Sequence, residues 1–165
     1  VPRLRDERCF YELDPAELTD VEAAPAVSNV AGHARQVGPD EIDGLDLVVS
    51  GSVAVTEDGA RIGKGEGYSD LEYAVLAELG LVDDATPVVT TVHERQVVDG
   101  PESAVDATSV PVDAHDVPMD YVVTADRTIE TDTPYERPTG VDWDALGPER
   151  LAAMPVLAAR APPRE

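Results

Sequence analysis

The chain has 165 residues, of which 42% are hydrophobic, and its 34 acidic residues against 12 basic ones give a formal charge of −22. Compact Val/Leu/Ile runs supply enough apolar surface for a core, which argues against a solvating, disordered chain. The absence of any Lys/Arg cluster argues against non-specific nucleic-acid binding, because nothing is there to displace counterions from a phosphate backbone.

Carboxylates at this density keep a folded protein hydrated where salt screens charge strongly. Eleven of the basic residues are arginine and only Lys64 is lysine, so the composition reads as adaptation to a salt-rich cytoplasm such as that of a halophilic archaeon. One domain is the natural expectation at this length. The single Cys9 allows neither an internal disulfide nor a thiolate metal site, and it reads as a small buried or half-exposed residue. No apolar stretch approaches the roughly 18 residues of a membrane helix. The opening "VPRLRDERCF" has no secretory leader pattern, so no membrane partner and a cytoplasmic location are expected.

In chain order, the segment 20–40 has no clear period and stays unassigned. The run "LDLVVSGSVAV" at 45–55 predicts a buried strand, as do "TPVVTTV" at 86–92 and "DYVVT" at 120–124. All three are continuous rather than alternating, which suits a sheet covered on both faces. Between the first two, Ser69 with Glu72 predicts a capping box. The helix it opens carries Leu71, Val75, Leu76 and Leu79 on its apolar face and stops at Gly80. Strand, loop, helix and strand make a βαβ unit, hence an α/β fold with a mainly parallel sheet. Residues 93–119 read as an irregular connection. In the tail, Pro148 suits a first helical turn, and Leu151, Met154 and Leu157 can pack inward.

The loop between strand and helix, "RIGKGEGYSDLE" at 61–72, places glycines at 63, 65 and 67 and Lys64 among them. A glycine-rich turn at a helix start leaves N–H groups for an anion, and Arg61 and Lys64 add full positive charges. Neither familiar phosphate loop fits: a dinucleotide fingerprint needs its third glycine where Tyr68 stands, and a Walker loop needs Ser or Thr where Gly65 stands. Spacing alone leaves two readings open, a phosphate cradle and a tight connection whose glycines only permit positive φ.

The stretch "GSVAVTEDGARIGKGEGYSDLEYA" at 51–74 resembles the signature of the 5-formyltetrahydrofolate cyclo-ligases, or 5,10-methenyltetrahydrofolate synthetases. Their loop runs Arg-Leu-Gly-x-Gly-x-Gly-Tyr-Tyr-Asp, and Arg61, Gly63, Gly65, Gly67, Tyr68 and Asp70 match it. Together with "TPVVTTVHERQVVD", the form is closer to the methenyltetrahydrofolate-synthetase-domain-containing branch. Gln96, Pro101, His115 with Asp116, "DYVVTADRTI" and the tail continue the pattern over roughly 45–160. Two departures stand out: Ser69 replaces the second tyrosine, and family members carry a further N-terminal stretch. The chain is therefore expected to be the C-terminal part of a longer cyclo-ligase-like domain.

The resemblance implies a three-layer α/β/α fold shared with sugar-phosphate isomerases and CoA-transferases. The activity it implies is ATP-dependent ring closure of 5-formyltetrahydrofolate: the formyl oxygen is phosphorylated, N10 attacks, and phosphate leaves to give 5,10-methenyltetrahydrofolate. On that reading Arg61, Lys64 and Tyr68 are catalytic, and Gly63, Gly65, Gly67 and Asp70 bind ATP, with Asp70 also on Mg²⁺. Asp70 in a first helical turn would equally serve the helix dipole. His93 and Gln96 are candidate pocket residues at the carboxyl end of a strand. The competing reading is a non-catalytic nucleotide- or folate-binding module of the same fold.

Overall fold

The β-branched runs at 86–92 and 120–124 form the middle of a four-stranded sheet. The computed structural model describes residues 2–98 and 110–163, in two units: Val1–Asp43 with Asp142–Glu165, and Gly44–Val141. In the second unit, β3 (Val48–Val49), β6 (Val88–Thr91), β7 (Tyr121–Val123) and β8 (Thr128–Glu130) lie in that order. Val48 is level with Val88 and Val89 with Tyr121, both pairings parallel, whereas β7 and β8 are antiparallel. The fold is thus α/β, with a mixed sheet whose core is mostly parallel. Val88 and Val122 are fully buried, each worth roughly 1.5–3 kcal/mol in apolar transfer. Thr90, also fully buried, shares a 2.8 Å hydrogen bond with the Ser52 hydroxyl, so its polar atom is satisfied.

The strand expected over 45–55 is broken in two. Its second half, β4 (Ala54–Val55), pairs antiparallel with β5 (Arg61–Ile62) in a separate ribbon. At the break one side chain meets two successive carbonyls: Gln96 Nε2 donates to the Ser52 carbonyl at 3.4 Å and the Val53 carbonyl at 2.9 Å. Successive carbonyls of a pleated strand face opposite ways, so two that reach one amide take the chain out of the pleat.

The helix α2 runs Tyr68–Glu78, one residue ahead of the expected cap. Gly67 is its N-cap at φ 64, a left-handed conformation that glycine adopts without steric cost. Ser69 consequently lies inside the first turn, and the expected Ser69/Glu72 capping box does not start this helix. The buried residues are Asp70, Tyr73, Ala74, Val75 and Leu76, while Leu79 is exposed. The inward face is therefore rotated from the expected Leu71, Val75, Leu76 and Leu79, because a buried carboxylate occupies part of it. The stop at Gly80 holds as expected: Gly80 N–H donates to Ala77 O and Leu81 N–H to Leu76 O, both at 2.9 Å, a Schellman termination.

In the first unit, β1 (Phe10–Glu12) and β2 (Arg35–Val37) pair antiparallel, and α1 (Val30–His33) leads into β2. An ion pair between Arg35 and Glu12 and another between Arg8 and Glu41 at 2.6 Å flank the ribbon. Pro148 opens α3 (Pro148–Ala152) as expected, and α4 (Pro155–Ala158) follows against the turn Pro2–Leu4. Met154 and Leu157 are buried, as is Cys9; Leu151 is half-buried. Of the connection at 93–119, the described part holds a 3-10 turn, Glu94–Gln96, and a turn at 113–116; Pro101 lies outside the described residues. No helix among the described residues is long and apolar enough to cross a membrane.

Candidate functional site

The short strand β5 delivers Arg61 to the foot of α2. Arg61 Nη2 is 2.5 Å from Asp70 Oδ1, and Nη1 donates to the Gly51 carbonyl at 3.2 Å. Both side chains are buried, at 6% and 9% exposure. Asp70 Oδ1 also accepts from the Val117 N–H at 3.2 Å. Arg61 Nε is buried with no hydrogen-bond partner among the described residues. A Cβ at position 63 would come within 3.1 Å of Arg61 Nη1, so glycine there lets the loop close over the guanidinium.

Beside this pair lies a cavity of about 410 Å³. One side is the segment 51–53; the other is Arg61, Gly63, Lys64, Gly67 and the first helical turn with Tyr68 and Asp70. Lys64 is exposed and lies on that wall. Gly65 (φ 82) shapes the loop without lining the cavity. The first intrahelical bond runs from Leu71 N–H to Gly67 O at 3.2 Å, so the amides of Ser69 and Asp70 precede it, at the positive end of the helix dipole.

The bond from Val117 to Asp70 brings the turn at 113–116 beside this helix start. Asp113, His115 and Asp116 each offer a ligand atom within 4.8 Å of the others, and His115 Nε2 is 3.9 Å from Asp116 Oδ1. Asp116 Oδ2 accepts the Asp113 N–H at 2.8 Å. His93 and Gln96, expected as pocket residues, do not line the cavity. His93 Nδ1 accepts the Arg95 N–H at 3.2 Å, and Gln96 is turned to backbone. The segment 51–53 was missed as a wall; the only signal was "SGS" between two valine runs, small residues that interrupt a strand.

Fold and loop define the class: an α/β protein in which a glycine-rich loop opens a helix beside a cavity. Within that class the chain belongs to the 5-formyltetrahydrofolate cyclo-ligase family, whose profile residues 10–125 match. It is similar to the methenyltetrahydrofolate synthase domain-containing proteins of Mus musculus, at 50% identity over 159 residues, Bos taurus, at 44%, and Homo sapiens, at 42%. Each alignment covers 94% of this chain but 41%, 40% and 39% of the respective relative. The chain thus spans about two fifths of the length of the curated relatives it matches.

Proposed function

We propose that the chain closes 5-formyltetrahydrofolate to 5,10-methenyltetrahydrofolate with ATP and Mg²⁺, in a salt-rich cytoplasm, and that its mixed sheet is part of a three-layer α/β/α fold. The observation that carries the reading is the Arg61 guanidinium on the cavity wall, its buried Nε without a hydrogen-bond partner among the described residues. An unsatisfied buried N–H costs about 1–3 kcal/mol, and a shift of the Arg61 side chain toward a bound phosphate would relieve it. Phosphoryl transfer asks mainly for positioning and charge neutralisation, and the residues suit both tasks. The loop amides and helix start would receive phosphate oxygens, Lys64 would follow the charge that develops on the transferred group, and Tyr68 would orient the formyl group.

The donor set also fits a hard cation. Magnesium prefers one or two carboxylates together with phosphate oxygens, and it would supply charge neutralisation at the phosphates. Asp70 Oδ1 is engaged by Arg61 and Val117, so Asp113 and Asp116, which lie together with His115 on the turn before Val117, are the less engaged carboxylates that would hold the ion. That engagement of Asp70 is also what favours the second reading, a binding module that holds nucleotide or folate without turnover.

The test is the absorbance rise of methenyltetrahydrofolate when the protein, in molar KCl, meets 5-formyltetrahydrofolate, Mg²⁺ and ATP, against an ATP-free control. We expect an ATP-dependent rise that Lys64→Ala reduces on the order of 100-fold. A folded protein that binds ATP but gives no rise would leave the binding module as the answer.

A further inference from the structure

We propose that Gln96 is a positioning residue whose side-chain amide sets the 51–53 wall of the cavity and, through it, the affinity for ATP; this rests on the nucleotide reading of that cavity. The amide is held at both ends. Its Oε1 accepts the His93 N–H at 2.8 Å, while Nε2 donates to the Ser52 and Val53 carbonyls. Partners of opposite kind fix which end is oxygen and which nitrogen.

The base on which Gln96 stands is itself anchored. In the same 3-10 turn, Glu94 is 10% exposed at its side chain and pairs with Arg127 of the β7–β8 turn, Nε to Oε1 at 2.8 Å and Nη2 to Oε1 at 2.6 Å. The next residue, Val97, bridges to Val55, and Val98 N–H donates to the Val55 carbonyl at 2.9 Å. From this base Gln96 reaches the wall, which is also tied at Gly51 O, by Arg61, and at the Ser52 hydroxyl, by the buried Thr90.

The run 45–55 is by its own composition a continuous strand. Gln96 holds two adjacent carbonyls out of that pleat, so its removal leaves 51–53 tied only through Gly51 O, the Ser52 hydroxyl and the Val53 N–H, which lets the two freed carbonyls turn and changes the cavity. Gln96 does not line the cavity, so the expected signature is altered nucleotide affinity without loss of the chemical step.

The test uses Gln96→Glu, which keeps an acceptor for His93 but turns an oxygen toward both carbonyls, and Gln96→Met, which removes both partners without adding charge. Three quantities are read in molar KCl: MgATP affinity by calorimetry, KM for ATP against kcat, and the amide resonances of residues 51–54. Wild-type melting behaviour in either variant suffices to show that it folds.

We expect MgATP Kd and KM to rise about tenfold in both variants, kcat to stay within about twofold of wild type, and the resonances of 51–54 to move. Resonances that stay in place, or a Kd equal to wild type, would overturn the proposal. A kcat loss with KM unchanged would do so as well, since it would mean direct participation. Wild-type protein that binds MgATP without turnover sinks the cyclo-ligase reading alone, and the Kd comparison still decides the role of Gln96. Wild-type protein that binds no MgATP sinks both.

Discussion

Two arginines in the Gly44–Val141 unit are each buried and paired with an aspartate, but their remaining nitrogens are treated differently. Arg137, 10% exposed, pairs through Nη2 with Asp120, and its Nη1 reaches the carbonyls of Asp83, Asp84 and Thr86 at 3.4, 3.4 and 2.9 Å. Asp120 also accepts the Val88 N–H at 2.6 Å, so this cluster ties the segment after α2 to the start of β6. Arg61 has one carbonyl, one carboxylate and a buried Nε with no hydrogen-bond partner among the described residues. A buried guanidinium surrounded by acceptors is a structural strut. The other lines a cavity and keeps one buried nitrogen without an acceptor among the described residues, the difference on which the proposed ligand role of Arg61 rests.

Loss of Arg137 should act on stability and not on the ligand. Removing Arg137 leaves the 27%-exposed Asp120 without its cation and three carbonyls without their donor, so Arg137→Met should cost about 3 kcal/mol of unfolding free energy by urea titration. The KM for ATP should stay at the wild-type value. Arg61→Met should act on the ligand as well. It leaves Asp70 buried without its cation but also removes an unsatisfied N–H, so the stability loss should be of similar size, about 3 kcal/mol, while MgATP affinity falls on the order of 10–100-fold. Equal effects of the two substitutions on affinity would show that the unpartnered nitrogen has no bearing on the ligand.

The same contrast shows what the chain disclosed on its own. The central strands were legible at Val88–Thr91 and Tyr121–Val123 because continuous β-branched runs have few other uses, and the stop at Gly80 because few residues other than glycine suit that position. The loop residues were legible from a family pattern and not from spacing, which fitted neither known phosphate motif. The rest depended on distant partners. Asp70 faces inward because Arg61 and Val117 receive it, which turned the helix face away from the one its leucines suggested. The break at 51–53 is met by a glutamine more than 40 residues further on, which bonds two of its carbonyls. In the other unit, strands of three residues such as Arg35–Val37 are too short to show a period and are defined by their pairing. Thr128–Glu130 was missed for the same reason.

Charge separates the two arginine sites from their surroundings. With a formal charge of −22, repulsion among surface carboxylates opposes folding until salt screens it. Raising KCl from about 0.1 M to about 2 M should therefore lift the melting temperature on the order of 10 °C. The buried pairs are screened far less, so the difference in stability between wild type and Arg137→Met should hardly change across that range. A difference that collapses with salt would mean that the Arg137 cluster is open to solvent and comparable to a surface ion pair.

Arg127 extends the series to a cation only partly withdrawn from water, at 36% exposure, shared between Glu94 and Glu57. Its hydrogen bond to Glu94, followed by one from Thr124, holds the Glu94 carboxyl below the ordinary glutamate value, against the opposing effect of burial. A carboxylate with a depressed folded-state pKa favours the native state at full strength above its unfolded value, about 4.3. That contribution is lost as pH falls through the lower folded value. The melting-temperature gap between wild type and Glu94→Gln should thus be flat from about pH 8 to pH 5 and close progressively below about pH 4. It should be the smallest of these effects, because solvent weakens a pair exposed on one side. Measured in molar KCl, a gap that widens on acidification would mean that Glu94 is held protonated in the folded protein, and the anchor beneath Gln96 would then be a neutral hydrogen bond.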